Sequence, residues 1–109
     1  MLNAEGYGLV LVTASSQEEA DAIATSLVAN KLAACVSIAP IRSLYIWQGE
    51  VHNEQEWQLT IKTHLRKFKE IEEQVRTIHS YEVPEIIAIP IVAGSQPYLN
   101  WLAEQTESN

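Results

Sequence analysis

His79, Tyr81 and Glu85 are the side chains of this sequence whose types and spacing best suit chemistry. An imidazole with a carboxylate six residues on can hold several divalent metals, or exchange a proton as an acid–base pair. A plainer role competes, because the three lie at a helix end and in the connector after it. A histidine there interacts favourably with the helix dipole. Lys62 is the second candidate. On the expected hairpin it lies opposite Tyr45 and near Trp47, where it can make a packing cation–π contact, hold an anionic ligand, or pair with Glu56. The single cysteine, Cys35, excludes an internal disulfide and a CxxC zinc site. In its apolar surroundings it reads as a small hydrophobe. His52, near a hairpin tip with Glu50, Glu54 and Glu56, could gather a metal only adventitiously, and His64 reads as a solvated strand end. The sequence has no GxSxG, HExxH, Walker loop or GxGxxG, and Ser15-Ser16 suits helix capping better than nucleophilic attack. An enzyme using His79 with Glu85 is therefore the weakest functional class, and the chain is read as non-enzymatic.

The elements that must position these groups follow from hydrophobic periodicity. Leu9 to Thr13 is a buried strand, and Ser16 with Glu19 forms a capping box for a helix. Ala20, Ile23, Ala24, Leu27 and Val28 give that helix one apolar stripe, with Asn30 as a left-handed stop. Leu32 to Ile38 is a second strand that Pro40 interrupts at a sheet edge, and the pattern resumes over Ser43 to Trp47. Trp57 to Thr63 alternates strictly. Leu65 to His79 is a second helix with Phe68, Ile71, Val75 and Ile78 inward, and Arg66–Glu70 and Lys69–Glu73 as solvent-side pairs. Ile86 to Val92, with Pro90, is an edge strand, and Ser95 opens a last helix carrying Tyr98, Leu99, Trp101 and Leu102. Strand, helix, strand, strand, helix, strand predicts an α+β, ferredoxin-like βαββαβ sandwich with an extra C-terminal helix and a long hairpin between the second and third strands. One domain spans 1–109, with 6–103 as folded core and 104–109 as a frayed tail.

A two-residue turn at Asn53-Glu54 would set Ile46 opposite Ile61 and Tyr45 opposite Lys62. Leu44, Ile46, Trp57, Leu59 and Ile61 would then face the core. Tyr45, Trp47, Val51, Glu56, Gln58, Thr60 and Lys62 would form the outer face. Two helices on one side of the sheet leave that aromatic stripe uncovered, so further copies of the chain are expected to cover it. Seven basic residues against fourteen acidic give a net charge of −7, which disfavours nucleic-acid partners. No basic region precedes an apolar run at the N-terminus, and no apolar stretch reaches membrane-spanning length. With one unpaired cysteine, a reducing cytoplasmic setting is expected.

Leu32-Ala33-Ala34-Cys35-Val36, Ser43 to Val51, Glu56, Ile61-Lys62-Thr63, His79 to Ala88 and Tyr98 to Leu102 resemble, in order, the motif series of the CutA divalent-cation-tolerance family. The resemblance implies a homotrimer paired through the 43–63 hairpin and an architecture like that of the PII signalling trimers, which bind effectors between subunits. It implies a part in tolerance of divalent ions, copper above all, with copper or another divalent cation as the candidate bound group and no organic cofactor. On it, Tyr45, Trp47, Glu56, Lys62, His79, Tyr81, Glu85 and Trp101 are candidates for an inter-subunit cleft, and Cys35, His79 and Glu85 for metal ligands. The alternative it implies is a regulatory trimer binding a small metabolite or a partner protein. Two departures stand out: Ser80 where the family commonly has proline after the histidine, and Ala39-Pro40 where Pro-Gly is frequent.

Overall fold

The computed structural model describes residues 5–107. The last two residues of the expected tail and the first four of the N-terminal stretch lie outside them. The order is β1 (Tyr7–Ala14), α1 (Gln17–Ala29), β2 (Cys35–Trp47), β3 (Glu50–His64), a 3-10 turn (Leu65–Lys67), α2 (Phe68–Ile78), β4 (Ile86–Pro90) and α3 (Gln96–Gln105). The four strands form one antiparallel sheet in the order β2-β3-β1-β4. Each strand–helix–strand unit skips one strand, which the other unit fills. This is the expected ferredoxin-like sandwich with its additional helix.

Alternation sorts the sheet's two faces. Val10 and Val12 of β1 and Leu59 and Ile61 of β3 are fully buried against Ile23 and Leu27 of α1 and Ile71 and Val75 of α2. Each such side chain contributes roughly 1.5–3 kcal/mol, so this layer outweighs any surface ion pair. The α2 pair that forms is Glu72–Arg76 at 3.6 Å, in place of the two expected. Val28 lies outside the α1 stripe and is exposed. The left-handed residue after α1 is Lys31, at φ 58°, while Asn30 keeps negative φ and its side chain donates to the Ser26 carbonyl. On the opposite face α3 packs Leu99 and Leu102 against Ala34, Tyr7 and Ile91. This helix runs beyond the expected core end. Thr106 is buried and its hydroxyl donates to the Leu102 carbonyl, so it closes the helix instead of fraying.

The hairpin differs most from expectation. Its turn is Gln48-Gly49, with φ of 52° and 79°, and not Asn53-Glu54. Positive φ at both central residues gives the twist that joins antiparallel strands, and glycine takes it without steric cost. Tyr45 therefore pairs with His52, Ile46 with Val51, and Cys35 with Lys62. Pro40 does not interrupt β2. It pairs with Trp57 inside a continuous edge strand, whose outer side needs no N–H donor. Since β1 reaches only from His64 to Trp57 along β3, the far half of the hairpin outruns the sandwich and stretches the molecule to 49 Å. Leu44 and Ile46 keep the helix-side face but lie past the helices, 62% and 73% exposed instead of in the core. Val51 joins them there at 72%.

Candidate functional site

At the hairpin's root, where β1 ends, a cavity of about 680 Å³ opens between the sheet and the connector from α2 to β4. The hairpin supplies Ser43, Leu44, Tyr45, Trp47 and Glu56. The connector supplies Ser80, Tyr81, Glu82, Val83 and Glu85, and β1 supplies Thr13. Five of the eight expected cleft residues thus meet here: Tyr45, Trp47, Glu56, Tyr81 and Glu85.

Glu56 is the pivot. It is only 6% exposed, and its Oε2 accepts the Tyr81 hydroxyl at 3.0 Å. Burial first, then this bond and the Glu56 charge, push the Tyr81 phenol far above its ordinary range. Glu85 is held above the usual carboxylate range by burial and then by the Glu56 charge. Tyr45 stacks on His52 with centroids 5.4 Å apart, and desolvation followed by a hydrogen bond to Glu54 raises its phenol. Glu54 also lies 3.4 Å from His52, which sits in β3 three residues past Gly49, close to the hairpin tip as expected.

The connector is pinned from behind. The Tyr81 N–H donates to His79 Nδ1 at 3.0 Å, so Nδ1 carries no proton. Nε2 is then the protonated nitrogen, and it donates to the Thr13 carbonyl at 2.6 Å. The ring also packs against Tyr81 at 4.8 Å. Both nitrogens are committed, so His79 positions the cavity wall and presents no lone pair for a metal. Next to it, Glu19 accepts the N–H and hydroxyl of Ser80 and the N–H and hydroxyl of Ser15. Its capping-box role is therefore halved: Ser16 caps the Glu19 N–H, but the carboxylate turns to Ser15 and Ser80. Burial works to raise the Glu19 carboxyl. The hydrogen bonds from Ser15 and Ser80 outweigh it and hold the carboxyl below its usual range. Proline at position 80 could not make the backbone bond. Ser80, Glu19 and Thr13 were not among the expected site residues. The only sequence signal for Ser80 is its departure from the family pattern.

The other expected residues lie elsewhere. Lys62 is six residues from Glu56 along β3, roughly 20 Å, and faces α3, with Nζ 6.0 Å from the centre of the Tyr98 ring. Trp101 packs against Tyr98 on the same helix. Cys35, opposite Lys62, is half-buried on the face that carries α3, not enclosed in the core. His64 is no solvated end. Its Nδ1 accepts the Arg66 N–H, its ring meets Tyr7 edge-on, and burial with Arg66 and Lys67 lowers its pKa. Among the described residues no three His, Cys, Asp or Glu side chains converge as metal ligands, so Cys35, His79 and Glu85 do not form a set within one subunit. No helix among them is long and apolar enough to cross a membrane.

A family model described as CutA1 divalent ion tolerance protein matches residues 8–105. The divalent-cation tolerance protein CutA of Thermus thermophilus is 48% identical over 99 residues, covering 90% of this chain and 96% of that protein. The solved structure of the periplasmic divalent cation tolerance protein CutA from Archaeoglobus fulgidus is 42% identical, with a TM-score of 0.91 over 93% of this chain and 99% of that one. The stable protein CutA1 from the psychrotrophic bacterium Shewanella sp. SIB1 is 38% identical at a TM-score of 0.91 over 97% and 100%.

Proposed function

The chain belongs to the CutA1 divalent ion tolerance family, and on that footing we propose that it serves divalent-cation tolerance as a non-enzymatic homotrimer that recognises a small molecule in the cavity at the hairpin root. The observation that carries this is the cavity itself. It has a size typical of ligand sites, aromatic walls, a buried carboxylate and a connector pinned by His79 and Glu19. Assembly is supported by what the subunit leaves uncovered: Leu44, Ile46, Trp47 and Val51 on the projecting hairpin, and Ile87 and Ile89 on β4. That the copies number three follows from the family likeness, not from the patch. The ligand then sits beside an arm that contacts a neighbour, as in a PII-like regulator, and tolerance is exercised by signalling more than by storage.

The finer expectation of copper or another divalent ion on Cys35, His79 and Glu85 finds no three converging ligands among the described residues of one subunit, so a metal at these groups would draw ligands from two copies. The lone thiol suits a reducing compartment, and we place the protein in the cytoplasm on that ground. Light scattering, calorimetric titration with copper and zinc, and a thermal-shift screen of nucleotides, carboxylates and amines test the reading together. The expected results are a trimer mass, no metal affinity tighter than micromolar, and at least one ligand-dependent shift. A monomer, or a screen with no shift, refutes it.

A further inference from the structure

We infer that His64 is a proton-sensitive latch: its neutral ring ties the start of β1 to the turn that leads into α2, and a proton on that ring releases the junction. The latch lies eight residues along β3 from Glu56, roughly 25 Å, so it stands apart from the cavity. His64 ends β3 and caps the 3-10 turn, its Nδ1 accepting the Arg66 N–H at 3.1 Å. The ring lies on Gly6, whose φ of 89° turns the chain into β1 and where a Cβ would come within 2.5 Å of Nε2. It meets Tyr7, its partner in the β1–β3 register, edge-on at 5.0 Å. The Leu65 N–H donates to the Gly6 carbonyl at 2.6 Å and closes the same joint. Tyr7 in turn packs against the cluster of Ala34, Leu99 and Leu102, so the ring braces both the turn into α2 and the packing of α3. Protonation works against these contacts. An imidazolium is a donor at both nitrogens, so Nδ1 would face the Arg66 N–H with a hydrogen of its own, and the turn would lose its cap. The new charge would also lie by Arg66 and Lys67 of the turn, with Lys62 two residues back on the same face of β3. From β1 the ring faces the Tyr7 phenol, and Glu5, one residue before Gly6, is the carboxylate on that approach. Burial first, then Arg66 and Lys67, hold the imidazole below its ordinary pKa. The latch is therefore fully closed above the ordinary histidine value, and it is lost as pH falls through the folded one.

NMR of the His64 ring through a pH titration of the assembled protein, with amide hydrogen exchange corrected for its intrinsic pH dependence, tests the inference. The ring is expected to titrate below the ordinary histidine value. Opening at the Leu65 and Arg66 amides is expected to rise by roughly tenfold between about pH 7 and about pH 5, while Val75 in the buried stripe of α2 stays protected. His64→Asn keeps a side-chain acceptor for the turn and takes up no proton, so its Arg66 amide is expected to lack that rise. A ring that titrates at or above its ordinary value overturns the inference, by giving the imidazolium to a carboxylate such as Glu5. A ring that titrates low with no change in opening overturns it, as does an equal rise in His64→Asn. Should that variant fail to fold, Val75 decides: opening confined to the joint supports the latch, and opening that reaches Val75 equally is general acid unfolding and overturns it.

Discussion

Replacing Glu19 by glutamine should loosen the connector that walls the cavity, and its cost can be worked from the hydrogen bonds. The carboxylate accepts two N–H groups, from Ser15 and Ser80, and both serine hydroxyls. A bond to a charged acceptor contributes about 1.5–3 kcal/mol when buried, and much less in partial contact with water. Glutamine keeps one acceptor oxygen but turns an NH2 toward the other donors. The net loss should be about 1–2 kcal/mol, read as a shift in the equilibrium denaturation midpoint at fixed protein concentration, because assembly makes midpoints concentration-dependent. The pH dependence separates charge from packing. Glu19 is held below its ordinary pKa in the folded protein, so its stabilisation is complete above the unfolded value and is lost as pH falls through the folded one. The gap between wild type and Glu19→Gln should therefore be full near neutrality and close in strong acid. A gap below about 0.5 kcal/mol near neutrality, or one that persists unchanged into acid, would refute the reasoning.

Gly49→Ala should cost about 1 kcal/mol in equilibrium denaturation, from backbone conformation alone, because a Cβ there meets nothing within 4 Å. Gly8→Ala should cost about 2–3 kcal/mol by the same measurement, since its Cβ would lie 2.6 Å from Leu65 Cδ2 and 2.7 Å from the Ile89 carbonyl oxygen. Tyr81→Phe should destabilise by about 1–3 kcal/mol by leaving Glu56 Oε2 without its donor. In alkaline spectroscopic titration, the same change should remove the tyrosine that ionises last. His79→Ala should cost a similar amount by freeing the Thr13 carbonyl and the Tyr81 N–H. In the wild type, copper titration followed by NMR should leave the His79 ring signals in place.

How much of this was legible depended on which force set each feature. The strict alternation of Trp57 to Thr63 and the stripes of both long helices gave the layers, because burial enforces period. The hairpin register was not legible. Asn53-Glu54 looks like a turn, while the true turn puts Gln48, an unusual residue for positive φ, beside Gly49. Yet Tyr45 only moves its partner from Lys62 to His52, ten residues along β3. That is an even step, and of the hairpin residues assigned to a face only Val51 changes sides. Hence Tyr45, Trp47 and Glu56 meet at one cavity within the subunit, whereas Lys62, on the same face, lies six residues farther along β3. His79 was singled out by its chemistry, but its role depends on the Thr13 carbonyl at the end of β1, sixty-six residues away in sequence. No local pattern reports such a contact, and the same holds for the Glu19–Ser80 bond.

The central claim, that the hairpin root is the recognition site, is tested most directly by mapping backbone amide shifts of the assembled protein during titration with a compound that shifts its melting in the thermal screen. The account predicts saturable changes centred on Ser43 to Trp47, Glu56 and Ser80 to Glu85. Changes centred instead on Cys35, Lys62 and Tyr98, or none at high probe concentration, would contradict it.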